Sequence, residues 1–278
     1  MSEHRLVINA DDFGITAGVD AGIIEAASAG VVTSISVVTN LQHRDNLARA
    51  IERIRHSAPA AGIGLHFNCV MGSPLTECRT LMDQRGRFAS VPSLVRKALL
   101  RQIDQEEASV ECAAQLGVLQ DIAGRATHID GHLHLHVLPV LWSAVNRVAA
   151  QSAVPHVRLP LEPFRMNPFD VGATARKLLV YLAWRSAGGT RPDRSQSVQF
   201  AGMSLRGNSH FSARLLRLFR DLPAGTTELM VHPGHRDPEV GRFTGYGDGR
   251  AHELLTLTSS AVRERLGRED ITLATFAA

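Results

Sequence analysis

No window of this 278-residue sequence approaches the roughly 18 uninterrupted apolar residues that a membrane-spanning helix needs. An integral membrane segment is therefore not expected. Cysteine is scarce: Cys69, Cys78 and Cys112 are an odd three without CxxC spacing. That argues against a disulfide framework and for a reducing compartment. Aromatic residues make up 5% of the chain, and no run of basic residues interleaves with them. Nucleic-acid binding is thus not indicated, and the net charge of +3 is modest. Ser2-Glu3-His4-Arg5 runs into a short apolar segment, Leu6 to Ala10, which two aspartates stop. That is not the apolar core of a secretory signal, so a cytoplasmic protein is expected.

What is present is a sustained alternation of two periodicities. Predicted strands cover Arg5 to Ala10, Val31 to Val38, Ala61 to Asn68, Thr127 to His136, His156 to Pro160, Ser197 to Ala201, Thr227 to His235 and Ile271 to Phe276. Predicted helices cover Thr16 to Ala29, Asp45 to Arg55, Gln105 to Ala123, Pro139 to Gln151, Ala173 to Arg185, Ser212 to Asp221 and Ala251 to Leu266. Such alternation predicts a parallel sheet with covering helices. Over this length it predicts an α/β fold, a (β/α) barrel related to the TIM barrel, closed, distorted or seven-stranded. The chain is 44% hydrophobic, enough for one domain over residues 1–278. Gly72, Pro74, Gly86 and Pro92 break the rhythm and mark an insertion at about 70–104. A loop of that length serves as a lid or a substrate-binding wall.

The densest polar feature is Thr127-His128-Ile129-Asp130-Gly131-His132-Leu133-His134-Leu135-His136. Residues two apart on a strand share a face, so an extended chain points His128, Asp130, His132, His134 and His136 the same way. Such a row is either a solvated polar face or part of a metal site, because burying it without a partner is costly. Asp11-Asp12, His66, His132 and His232 favour the metal site over the solvated face, since each lies at or near the C-terminal end of a predicted strand. In a parallel barrel those ends open on one face, where active sites lie.

One carboxylate and two imidazoles make an open site for one divalent ion. The set suits zinc, iron, cobalt or nickel and tolerates manganese or magnesium. Adjacent aspartates on an extended backbone point to opposite sides, which favours a division of labour between ligand and general base. His232, before a proline, is a candidate general acid for a leaving amine. Asp130 and His134 are candidate orienting partners, and Arg158 a candidate to hold a base or a substrate oxygen. Cys69 reads as a small buried hydrophobe.

Asn9-Ala10-Asp11-Asp12-Phe13-Gly14, Gly64-Leu65-His66, the 127–136 stretch and Val231-His232-Pro233-Gly234 resemble the successive motifs of the YdjC-type carbohydrate deacetylases. The resemblance implies a barrel-like fold and metal-dependent hydrolysis of an N-acetyl group on an amino sugar. By position it implies Asp11 as base, Asp12, His66 and His132 as metal ligands, and His232 as acid. His128 and His136 then become packing residues. Zinc and magnesium head the implied metals, and a homodimer is the implied assembly. Many members carry serine where this chain has Gly131. The apolar Leu178–Trp184 helix and the proline-rich 160–168 segment resemble the hopanoid-associated branch more than the chitooligosaccharide branch. A glycolipid therefore stands beside an oligosaccharide as the implied substrate. Two alternatives stay open. One is a barrel amidohydrolase using His132/His134 or His134/His136. The other is a non-catalytic metal- or sugar-binding barrel.

Overall fold

The computed structural model describes residues 3–163, 171–189, 198–206, 210–268 and 270–276. Parts of the proline-rich 160–168 segment and of the loop at 188–192 lie outside them. β1 (His4–Phe13) is the centre of a wholly parallel sheet. β2 (Ser34–Val37), β3 (Gly62–Phe67) and β4 (Ile129–Gly131) follow on one side of it. β6 (Gly225–Val231) and β5 (Gln199–Ala201) follow on the other. Short β7 (Thr272–Leu273) pairs with the first half of β1. The six-strand path β4-β3-β2-β1-β6-β5 curls into a half-barrel surrounded by helices, in place of full closure.

Period-two alternation explains the layout. Leu6, Ile8 and Ala10 of β1, Ile35 and Val37 of β2, Ile63, Leu65 and Phe67 of β3, and Leu229 and Val231 of β6 belong to one apolar core. That core packs the sheet against α1 (Ala17–Ser28), α2 (Arg44–Ser57), α4 (Gln105–Ala123) and α5 (Leu141–Gln151). Alternate positions carry Asn9 and Asp11, Ser34 and Ser36, His66, and Glu228, all buried. Both faces of the sheet are therefore covered: the outer one is oily, and the inner one mixes these polar groups with a small apolar cluster of Phe200, Met203 and Met230. Each buried polar group there needs a partner. Gly64 lies on that face for lack of room: a Cβ would sit 2.3 Å from the His128 ring.

The histidine segment departs from its predicted form. Strand pairing ends at Gly131, and residues His132–Val137 form a 3-10 run. Within it Leu133 and His134 are left-handed, with φ of 54° and 58°. The strict alternation therefore does not put all five polar side chains on one face. Gly131 makes this turn compact, since a Cβ there would lie 2.8 Å from Nδ1 of His136. Segment 156–160 joins β4 by a single bridge, Ile129 to Val157, rather than as a strand. The predicted 251–266 helix is two helices, α8 (Asp248–Leu257) and α9 (Ser260–Leu266), because Ser259 caps the second.

The 70–104 segment contains α3 (Val91–Leu99) and is stapled to α4. Buried Glu111 accepts from Leu75 N, Thr76 N, Thr76 Oγ1 and Gln115 Nε2 at 2.7–3.1 Å. Glu107 holds Thr80 through its N–H (2.8 Å) and hydroxyl (2.7 Å), and Lys97 donates to the Thr80 and Met82 carbonyls. Carboxylates that saturate loop N–H groups make this segment a fixed wall. Glu111→Ala is expected to cost about 3 kcal/mol in urea unfolding, since it strands several buried donors. It should also open the segment around Thr76 to proteolysis. A loss below about 0.5 kcal/mol, the scale of an ordinary surface change, would show that the wall does not depend on Glu111.

Candidate active site

Where β1 leaves regular pairing, the chemistry begins. Its register with β2 shifts between Ala10 and Phe13. Asp12 occupies this bulge with φ of 75°, a conformation that a non-glycine residue holds only when its surroundings enforce it. The bulge overrides the expectation that Asp11 and Asp12 point apart. Both carboxylates reach the neighbourhood of His66, although their partners differ.

Asp12 joins three strand ends. Its Oδ1 lies 2.9 Å from His132 Nδ1 and 3.2 Å from His66 Nε2, while Oδ2 receives the Arg250 guanidinium. His66 comes from the end of β3 and His132 from the first residue after β4. All three site residues are no more than 5% exposed. The other nitrogen of His66, Nδ1, donates to Asp130 Oδ1 at 2.7 Å. A neutral His66 therefore turns an Nε2 lone pair toward a carboxylate oxygen. Two acceptors facing each other call for a cation between them. Burial alone would lower the His66 pKa, but the Asp130 and Asp12 carboxylates raise it to about 10, which expresses the same demand for positive charge. A ligand histidine whose second nitrogen donates to a carboxylate is the usual metal-site arrangement. The donor set Asp12, His66 and His132 thus fits one divalent ion, with open positions beyond it.

Asp11 lies in a second buried network. Arg158, 0% exposed, gives Nη1 to Asp11 Oδ2 (2.6 Å) and Nη2 to Asp11 Oδ1 (2.7 Å). The same Nη2 reaches Asp130 Oδ2 at 2.7 Å, and Nε donates to Glu228 Oε1 at 2.6 Å. Asn9 Nδ2 adds a bond to Asp11 Oδ1 at 2.8 Å and another to Ser36 Oγ at 2.7 Å. Ser36 in turn donates to Asp130 Oδ2 at 2.7 Å. Burial pushes the Asp11 carboxyl up to about 6, against the pull of Arg158. Burial works against the Asp130 charge too, but Arg158 and His66 outweigh it and hold that carboxyl low.

The remaining candidates separate. His232 directly follows β6, and its backbone N–H donates to Glu253 Oε2 at 2.6 Å. Burial and then Arg206 hold its imidazole well below the usual histidine range, so it is neutral in the resting protein. His134 is turned away: it makes no hydrogen bond among the described residues and packs edge-on to Phe200 at 5.5 Å. It orients neither a ligand nor Asp11, because the left-handed turn carries it off the strand face. His136 donates to the Arg158 carbonyl at 2.9 Å, and His128 lies 2.9 Å from both Ser36 and Thr127.

Sequence reasoning misses Asn9, Ser36, Glu228, Arg250 and Glu253. A signal existed for the first three: Asn9 and Ser36 are polar residues between apolar strand neighbours, and Glu228 is a charged residue inside a predicted strand. Arg250 and Glu253 carry none, since charged residues at a helix start are ordinary.

Arg158→Ala would leave Asp11, Asp130 and Glu228 buried without their cation. A loss of about 3–5 kcal/mol at neutral pH is expected. Without the guanidinium, burial lifts the folded-state pKa values above the unfolded ones. The folded variant then binds more protons, and its stability falls as pH rises. Urea midpoints should therefore show a larger deficit at pH 8 than at pH 5. A deficit independent of pH would contradict this role.

Comparisons with known proteins match this chain to a family. The family model described as YdjC-like protein matches residues 5–268. A human protein named carbohydrate deacetylase is 32% identical, over 97% of this chain and 89% of its own. A chitooligosaccharide deacetylase of Escherichia fergusonii is 28% identical, over 99% and 98%. A solved Enterococcus faecalis structure, of a protein named for cellobiose-phosphate cleavage, superposes with a TM-score of 0.73 at 25% identity, covering 99% of this chain and 98% of that one. The chain belongs to the YdjC-like family.

Proposed function

We propose that this chain is a carbohydrate N-deacetylase, which hydrolyses the acetamide of an N-acetylated amino sugar. The observation that carries the reading is the meeting of Asp12, His66 and His132 beside the Asp11–Arg158 pair. Relatives named carbohydrate deacetylase along nearly the whole chain support it.

Asp12 through Oδ1, His66 through Nε2 and His132 through Nδ1 would hold one divalent ion, zinc or magnesium first. Such an ion supplies Lewis acidity, which makes water nucleophilic near neutral pH and polarises an amide carbonyl. The protein side of the reaction is proton handling. Asp11 takes a proton from the attacking water, and a carboxyl raised to about 6 accepts it readily at neutral pH. Arg158 and Asn9 fix the orientation of Asp11 through three hydrogen bonds. The leaving nitrogen needs one proton, equal to the one that Asp11 gains. His232, neutral at rest, can receive that proton and pass it on as the acid.

The fixed 70–104 wall begins at the same mouth, where Asn40 and Asn68 bond the Met71 carbonyl, and we assign it to substrate selection. Free sugar oligomers and glycolipids are both within the reading. Three buried free cysteines favour the cytoplasm, and the family resemblance favours a homodimer. The amidohydrolase alternative needs an HxH ligand pair, and His134 faces Phe200 while His136 bonds the Arg158 carbonyl.

EDTA is expected to abolish acetate release from N-acetylglucosamine oligomers, with recovery on adding zinc or magnesium. Asp11→Asn should keep its bound metal, measured by elemental analysis, while kcat falls by about 10²–10⁴-fold. Full turnover in that variant would remove Asp11 as the base.

A further inference from the structure

The two segments that carry the proposed proton chemistry both rest on the first half of α1. The end of β1 bears Asp11 and Asp12, and the segment after β6 bears His232. These strands are neighbours, but their pairing stops at Ala10 and Val231, before any of the three residues. Asp20 is 5% exposed and lies in the first turn of α1. Its Oδ1 accepts from the Gly14 N–H at 2.6 Å, and its Oδ2 accepts from Gln42 Nε2 at 2.7 Å. The Ile15 N–H donates to the Asp12 carbonyl at 3.3 Å, so Asp20 clamps the turn that leaves the Asp12 bulge.

The second segment lies directly on the helix backbone. The His235 N–H donates to the Gly18 carbonyl at 3.0 Å, and Asp237 Oδ2 accepts from the Gly18 N–H at 3.0 Å. A Cβ on Gly22 would lie 2.5 Å from the Gly234 Cα, and one on Gly18 would lie 2.7 Å from the Asp237 Cβ. Glycine weakens a helix relative to alanine, so two of them four apart on one face need a reason. The reason here is contact, since backbone meets backbone with nothing between. α8 also touches both segments, but mainly through the long side chains of Arg250 and Glu253. The hold of α1 is shorter and stiffer.

We propose that α1 is the spacer that sets the distance between the Asp12 bulge and the candidate acid: Asp20 positions Asp12 through Gly14, and Gly18 and Gly22 position His232 through Gly234 and His235. These are positioning residues, since none of them touches the reacting atoms. The acid half of the inference rests on the deacetylase reading; the clamp half rests on the metal site alone.

The test uses the full-length protein in zinc with two substrates. N-acetylglucosamine oligomers lose an amine that must be protonated, whereas p-nitrophenyl acetate loses a phenolate that needs no proton. The Asp11→Asn rate is subtracted as background. In Gly22→Ala the close contact must open by about 1 Å, so kcat on the oligomers should fall about 10- to 100-fold. Ester hydrolysis should stay within about threefold, because it does not need the acid. Zinc affinity, measured by chelator competition, should be unchanged. Gly18→Ala meets the partly exposed Asp237 side chain, should act in the same direction, and serves if Gly22→Ala folds poorly. Asp20→Ala should lower both rates together and raise the zinc Kd by about 10- to 100-fold, the scale for losing support behind a ligand. Asp20→Asn turns a donor toward Gln42, and adding Gln42→Glu should restore both rates and zinc affinity. Equal losses on amide and ester in the glycine variants, or no loss, overturn the acid half. Wild-type zinc affinity in Asp20→Ala overturns the clamp. A wild type that hydrolyses the ester and no acetylated sugar overturns the deacetylase reading and the acid half with it, while zinc affinity still decides the clamp.

Discussion

A guanidinium sealed from water holds this candidate active site together. Arg158 satisfies Asp11, Asp130 and Glu228 from one buried position. Its backbone is tied in as well: its N–H donates to the Ile129 carbonyl, and its own carbonyl accepts from His136. One residue thus fixes the edge of the sheet, the candidate base, and the acid that orients His66. Buried ion pairs add little stability by themselves, because desolvation cancels much of the attraction. Their effect is to make one geometry far better than any other. Three carboxylates competing for one cation cannot shift without exposing a buried charge.

The half-barrel makes room for such a network. Its strands are oily on the side facing the core helices, and on the other side they carry most of the buried polar groups beside a small apolar cluster at Phe200, Met203 and Met230. Stability and chemistry are therefore assigned to opposite faces of the same residues' strands. Leu65 packs in the core while His66 faces the site; Ala10 packs while Asp11 faces inward. The inner face is an electrostatic design in which acids outnumber nearby cations until a divalent ion or proton is added. Asp12 shows this most plainly, with Arg250 on one oxygen and two imidazoles converging on the other.

Much of this was legible in the sequence. Alternating periods predict the parallel α/β fold, and the helix at Gln105–Ala123 has its predicted bounds. Asp12, His66 and His132, far apart in the chain, meet because each ends a strand of one parallel sheet. Local turns were not legible. The alternation from His128 to His136 imitates a strand, yet the chain turns left-handed at Leu133 and His134, where no glycine gives warning. The bulge at Asp12 is equally hidden, since only the surrounding contacts enforce its φ. Ser259 did carry a capping signal that divides the last helical stretch. Arg250 could not be found from sequence, because its role depends on a contact across the fold with Asp12.

The central claim is that Asp12, His66 and His132 share one divalent ion. Anomalous diffraction from crystals grown with zinc tests it directly. The account predicts a single peak about 2.0–2.2 Å from Asp12 Oδ1, His66 Nε2 and His132 Nδ1, with no peak at His134 or His136. A zinc ion held by His134 or His136, or none bound at the Asp12 site under saturating zinc, would contradict it.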